Sequence, residues 1–294
     1  MKFLIKLIKL IKYCVLLSVQ AFCANLSYLR ILIGAKIIVI DGGHGSQIIK
    51  YAIFAKYKEL NGKIHLDNSY FHSSMISENN YIKRPWTLDK YGIELAQHSV
   101  VPFYTRISDE RFINIFEGTI QKAFMDPEWL NATFPLPKGI EIELENLGVS
   151  VETLNIGVGI HIRQGDYVDV ASKYLKDNDY AAILEKVLGT MRFLENRIVI
   201  IFSDSDVNAL LFPKVFSIIN KFNFNFIVLD KVDPWISHCA MRFVNVLICA
   251  NSTFSFSAAL LRQGISIFPK EFYSDSSKPL NQIILNSANY LIRI

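Results

Sequence analysis

Metal and disulfide motifs are missing from this chain. Its 294 residues contain no HExxH and no CxxC, and the six histidines and four cysteines are scattered, which excludes the common zinc frameworks and a thioredoxin-type centre. Cys14 and Cys23 lie near the N-terminus, while Cys239 and Cys249 fall in or beside apolar stretches. Buried thiols, in a reducing compartment or indifferent to redox state, are expected for the latter two. Basic runs interleaved with aromatics are also lacking inside the domain, and the net charge is only +4, so no nucleic acid is expected as a partner. Gly and Pro are too sparse, at 14 and 9 residues, for extended disorder. What remains is a chain 51% hydrophobic, able to bury one large core or two smaller ones.

Three segments carry chemistry. The first is His161-Ile162-Arg163-Gln164-Gly165-Asp166-Tyr167, which follows the apolar run Leu154–Ile160; that run predicts a strand opening into a turn. Ligands of open α/β sheets gather at such strand ends. Arginine offers a planar fork of donors suited to phosphate, and Gly165 lets the backbone come close. The plainer alternative is a surface Arg–Asp pair closing a loop.

The second segment is Asp41-Gly42-Gly43-His44-Gly45-Ser46-Gln47, between the apolar run Ile37–Ile40 and residues of helical spacing from Ile48 to Ala55. Strand, glycine loop and helix are predicted, with unpaired N–H groups at the helix start that suit an anion. Neither a dinucleotide fingerprint nor a P-loop fits, because Ile48 stands where a third glycine belongs and no Lys-Ser or Lys-Thr follows. The third segment is Asn251-Ser252-Thr253-Phe254-Ser255-Phe256-Ser257, entered from Val246–Ala250. Its hydroxyls and amide suit either a helix cap or phosphate oxygens.

Taken in chain order, the glycine loop, the His161–Tyr167 segment and the Asn251–Ser257 segment resemble the α-1,2-fucosyltransferases of glycosyltransferase family 11, whose members carry GGxGNQ-, HxRRGDY- and NSSFSWW-type motifs. Arg84-Pro85-Trp86-Thr87-Leu88-Asp89 and Phe202-Ser203-Asp204 extend the likeness, which runs from about Lys36 to the C-terminus. The chain departs from the pattern at Ser46, at Gln164 in place of the second arginine, and at Phe256-Ser257 in place of a tryptophan pair. Losing that arginine removes a charge near the pyrophosphate, which weakens donor binding by about 1 kcal/mol or more.

The resemblance implies an α/β, GT-B-like fold, two Rossmann-like halves with largely parallel sheets facing a cleft. It also implies inverting, metal-independent transfer of fucose from GDP-fucose to a glycan, with the 2-hydroxyl of a galactose as the usual acceptor and no cofactor beyond the donor substrate. Arg163 is then the residue holding the β-phosphate, and Asp166, with Asp169 second, the candidate base beside the acceptor hydroxyl. Donor contacts are expected from Gly42, Gly43, Gln47, His161, Asp204, Asn251, Ser252, Thr253 and Ser255. Asp204-Ser205-Asp206 is also a DxD tripeptide, and a Mg²⁺- or Mn²⁺-dependent transferase is the alternative it raises. A transferase of different linkage or donor, or a non-catalytic nucleotide-sugar-binding relative, are the others.

Residues 1–33 stand apart. Leu-Ile-Lys recurs three times between Leu4 and Lys12, and no charge occurs from Tyr13 to Leu29. A basic amphipathic helix followed by an apolar stretch favours an anionic membrane surface, peripherally or as an anchor; a cleaved signal, a solvated extension or a start-site artefact are the alternatives. The location expected is membrane-associated, on the cytoplasmic side in a bacterium or in a Golgi-type lumen in a eukaryote.

The remainder is read as an N-terminal half, 34–147, bearing the glycine loop and acceptor side, and a C-terminal half, 148–294, bearing the donor site. An irregular region is expected around Pro127 to Gly139. Strands are expected to Ile162, then at Arg197–Phe202, Phe226–Leu229, Val246–Ala250 and Ile265–Phe268. Helices alternate with them at Asp179–Leu194, Asp206–Phe222, Ser237–Val244 and Phe254–Gln263. That alternation predicts a parallel sheet.

Overall fold

The structure, a computed structural model, describes residues 36–72, 84–95, 109–165, 175–191, 198–269, 279–288 and 291–293. The chain divides into two compact units, Met1–Phe116 and Glu117–Ile294. The segment 1–33 lies outside the described residues, and among those described no helix is long and apolar enough to cross a membrane.

The first unit is built on a βαβ element. Strand β1 (Ile37–Val39) leads through the glycine loop into α1 (His44–Asn61), and β2 (His65–Asp67) returns parallel to β1 with Ile37 opposite His65. Ile38 and Ile40 are buried, as are Ile48, Ile49, Ala52 and Ile53 at helical spacing along α1, so the apolar stripe of the helix matches its sequence period. A short helix, α2 (Ser69–His72), and a 3₁₀ turn at Leu88–Tyr91 follow. Helix α3 (Asp109–Phe124) spans the boundary between the units.

The second unit begins with three short helices, α4 (Pro127–Thr133), α5 (Ile140–Asn146) and α6 (Val151–Ile156). The expected irregular stretch after Pro127 is therefore corrected to include a helix. Pro127 occupies the first helical turn, where it has no hydrogen bond to lose, and Asp126 caps it by accepting from Trp129 N–H at 2.9 Å. The strand expected from Leu154 is also corrected: Leu154–Ile156 close α6, which Ser150 caps through Thr153 N–H, and the strand begins at Val158. A short apolar stretch reads alike for either element, and the cap decides it.

From there strands and helices alternate: β3 (Val158–Ile162), α7 (Asp177–Met191), β4 (Ile198–Ser203), α8 (Pro213–Lys221), β5 (Asn225–Asp230), α9 (Pro234–Phe243), β6 (Val246–Ile248), α10 (Thr253–Leu260), β7 (Ile265–Phe268), α11 (Pro279–Ser287) and β8 (Leu291–Arg293). All six strands are parallel, in the order β5-β4-β3-β6-β7-β8. The fold class is α/β, as expected. Val158, Ile160 and Ile162 of β3 join Val199, Ile201, Val246 and Ile248 in a core with Tyr180, Leu184, Val187 and Leu188 of α7 and Val215 and Ile219 of α8. Residues of the opposite parity on β3 face the other way. There the Gly159 position is so close to Val244 and Phe202 that a Cβ would stand 2.9 Å from a Val244 methyl carbon, so glycine is required by packing.

Candidate functional site

Sheet order fixes where ligands gather. From β3 the chain steps outward through β4 to β5, then returns to the other side of β3 for β6, β7 and β8. The reversal lies between β3 and β6, and in open parallel sheets the carboxyl ends of strands at such a reversal are where ligands bind. His161-Ile162-Arg163 closes β3 and Asn251-Ser252-Thr253 follows β6. Two of the three sequence segments, some 90 residues apart, thus flank one switch point.

The turn after β3 is held from both neighbouring elements. The Arg163 N–H donates to the Tyr180 hydroxyl of α7 at 3.1 Å. Asp204, just beyond β4, accepts the Gln164 N–H on Oδ1 at 3.0 Å, and its Oδ2 pairs with Arg163 Nη1 at 2.6 Å. Gly165 has φ +26°, and a Cβ there would meet Asp204 Oδ2 at 2.3 Å. One carboxylate therefore bridges a main-chain donor and a guanidinium on the same turn, a charge-assisted arrangement, and glycine makes room for it. Arg163 is half-buried, while Asp204 is an exposed residue whose side chain is 26% accessible.

His161 lies on the face of β3 opposite the α7–α8 core. Its ring tilts against Phe254 of α10 with centroids 5.6 Å apart, and Nδ1 has no hydrogen-bond partner among the described residues. Burial, reinforced by the Arg163 charge, lowers its pKa from 6.5 to about 3, so the imidazole is neutral at physiological pH. A neutral ring is both a donor and an acceptor.

The third segment spends most of its hydroxyls on itself. Ser252 caps α10 by accepting the Phe254 N–H at 3.3 Å. Ser255 is fully buried and donates to the Ala250 carbonyl at 3.3 Å. Ser257, also fully buried, donates to the Phe254 carbonyl and lies 2.9 Å from His238 Nε2. Since the serine proton is committed to Phe254, Nε2 is the donor in that pair, which fixes the His238 tautomer. Phe256 packs edge-on against Phe268. Asn251 is buried and Thr253 half-buried at the helix start.

In the first unit the glycine loop is organised by Gln47. Its buried amide donates to the Gly42 carbonyl at 3.0 Å and to the Pro85 carbonyl at 2.8 Å. Its oxygen accepts the Thr87 N–H at 3.0 Å and hydroxyl at 3.1 Å. Four bonds saturate the side chain, so Gln47 clips Arg84–Asp89 to the loop. His44 Nδ1 lies 2.8 Å from Thr87 Oγ1, and its ring stacks with Tyr91. Gly42 has φ +77°, and Gly43 precedes α1 with no side-chain cap on the helix. Asp41 forms an ion pair with Lys50. Thr87 is the partner that sequence reasoning left unassigned, although the RPxxLD-like segment pointed to its neighbourhood.

Asp166 and Asp169 lie outside the described residues. The DxD carboxylates go to separate cations: Asp204 to Arg163, and Asp206 to Lys231 at 2.5 Å. Among the described residues no group of three His, Cys, Asp or Glu is placed to hold a metal ion. Cys239 and Cys249 are unpaired and buried; burial pushes the Cys239 thiol up to about 12 and raises that of Cys249 as well. Both stay protonated and unreactive at neutral pH.

No family model matches the chain, and no curated protein matches it. Among solved structures it is similar to POFUT1 in complex with GDP-fucose, at 13% identity over 80% of this chain and 98% of that one, with a TM-score of 0.45. It is also similar to the E. coli heptosyltransferase WaaC with ADP, at 11% identity over 88% and 93% with a TM-score of 0.37. A third is the glycosyl transferase family 9 structure from Veillonella parvula DSM 2008, at 10% identity over 88% and 85% with a TM-score of 0.40.

Proposed function

We propose that the chain is a GT-B-like glycosyltransferase that moves fucose from GDP-fucose to a glycan hydroxyl with inversion, the 2-hydroxyl of a galactose being the acceptor suggested by the family 11 resemblance. The observation that carries this reading is a partly buried arginine on the turn that leaves β3 at the switch point, two residues after His161, whose ring packs on Phe254 of α10. Leaving-group chemistry explains why that matters. Breaking the bond from sugar to phosphate builds charge on the diphosphate, and fixed donors that meet it lower the barrier. Arg163 supplies a planar fork, and the main-chain N–H groups opening α10 add partial positive charge.

His161, neutral and buried beside Arg163, suits a donor-and-acceptor contact to the nucleobase or a bracing role. Metal independence is the part of this reading that the family 11 resemblance suggests. Asp166 is proposed as the base, with Asp169 second. The segment 1–33 is proposed to dock on an anionic membrane surface.

Calorimetry with GDP tests the donor site: wild-type binding that Arg163→Ala weakens about a hundredfold, to an affinity still measurable at high GDP, is expected, and undiminished affinity in that variant rejects the assignment. A donor-by-acceptor screen read by mass spectrometry, with EDTA in a parallel arm, then identifies sugar, linkage and metal dependence. Gln164, in the second-arginine position, favours one rival, a nucleotide-sugar-binding relative without transfer; it is indicated if GDP binds and no donor is consumed.

A further inference from the structure

We infer that Asp204 is a positioning residue, whose carboxylate holds the Arg163 guanidinium in the orientation that receives a nucleoside diphosphate; the inference rests on the donor-site reading above. Both oxygens of Asp204 are committed to the same three-residue turn, Oδ1 to the Gln164 N–H and Oδ2 to Arg163 Nη1. A long side chain with four rotatable bonds is thereby fixed at its far end, while the Tyr180 hydroxyl fixes the main chain at its root. Fixing the side chain before the ligand arrives removes much of the ordering cost that binding otherwise carries.

The guanidinium has five N–H donors in a planar fork, and the Asp204 pair is made through Nη1. Asp206, two residues on, is exposed and paired with Lys231; the DxD tripeptide thus divides into a positioning carboxylate and a surface one. The opposite role is physically distinct. If Asp204 merely occupied the anion's place, removing its charge would strengthen diphosphate binding rather than weaken it.

The test is calorimetric titration of the full-length chain with GDP, using wild type, Asp204→Asn, Arg163→Ala and the double variant, with thermal unfolding recorded for each. Asparagine keeps one acceptor and loses the charge. Positioning predicts at least a tenfold loss of GDP affinity in Asp204→Asn, and no further loss when it is added to Arg163→Ala, because the two residues act through one guanidinium. Gly165→Ala, which pushes on the carboxylate from outside, gives the same loss if Asp204→Asn does not fold. Affinity that is unchanged or improved in the available variant overturns the inference, as does an Asp204→Asn loss of equal size in the Arg163→Ala background. Both results leave the donor-site reading intact if wild type binds GDP. A wild-type chain that takes up no GDP sinks the reading and the inference together.

Discussion

A Cβ on Gly165 would stand 2.3 Å from Oδ2 of Asp204, the oxygen that pairs with Arg163. The glycine in the HIRQGDY segment is thus required twice, by its φ of +26° and by the carboxylate above it. Gly165→Ala is expected to cost about 1 kcal/mol of stability or somewhat more, from backbone strain. Its main effect is expected on the donor: a raised donor KM with a fall of only a few degrees in thermal midpoint, measured by steady-state kinetics and unfolding of the same preparation. A large loss of midpoint with unaltered KM contradicts this account.

His161 makes stability depend on pH. Its folded pKa of about 3 lies below its ordinary 6.5, so the unfolded chain binds the extra proton between those values. The stabilising contribution is therefore complete above pH 6.5 and is lost progressively as pH falls towards 3, at up to about 1.4 kcal/mol per unit. Comparing urea midpoints of wild type and His161→Phe from pH 7 to pH 4 checks this. The variant should lose less stability on acidification; parallel curves would show that the imidazole is not buried neutral.

Gln47→Leu strips partners from the carbonyls of Gly42 and Pro85 and from Thr87. Each buried group left unpaired costs about 1–3 kcal/mol, so a loss of several kcal/mol or failure to fold is expected by denaturant titration. Gln47→Glu keeps the acceptor for Thr87 but not the two donors, and should also be destabilised. A neutral outcome for both would mean that the glycine loop does not depend on this clip.

Ser257→Ala removes the acceptor of a buried histidine donor. Destabilisation of about 1–3 kcal/mol follows. Ser257→Trp, which restores the tryptophan of the family motif, is expected to be worse because the site is fully buried against His238. Equilibrium unfolding of the two variants ranks them, and a stabilised tryptophan variant would contradict the packing described.

Gln164→Arg returns the charge that the family pattern carries next to Arg163. Tighter GDP binding, by about tenfold, is expected from one added charge-assisted contact. Calorimetry at two salt concentrations checks it, since a gain from charge shrinks as salt rises.

Local chemistry was legible along the chain. Alternation of apolar runs with helical spacing predicted the parallel sheet, and β7 was placed at its observed bounds, Ile265–Phe268. Buried thiols at Cys239 and Cys249 were equally readable from their apolar surroundings. Where the sequence misled, caps decided the outcome: Asp126 and Pro127 start a helix where an irregular region was expected, and Ser150 starts α6 where a strand was expected. Patterns of a few residues carry too little period to separate strand from helix.

What the sequence determined by itself was residue type and spacing: an arginine and a glycine two apart after a strand, hydroxyls at a helix start, a glycine loop before another helix. Only the tertiary structure decided which of those groups meet. Asp204 reaches Arg163 because β4 pairs with β3 in a register that sets Ser203 opposite Ile162, and Ser257 meets His238 because α10 packs on α9. Partners 41 and 19 residues apart in the chain leave no periodic trace in sequence, since their pairing is fixed by strand order and helix packing rather than by any local preference of the backbone.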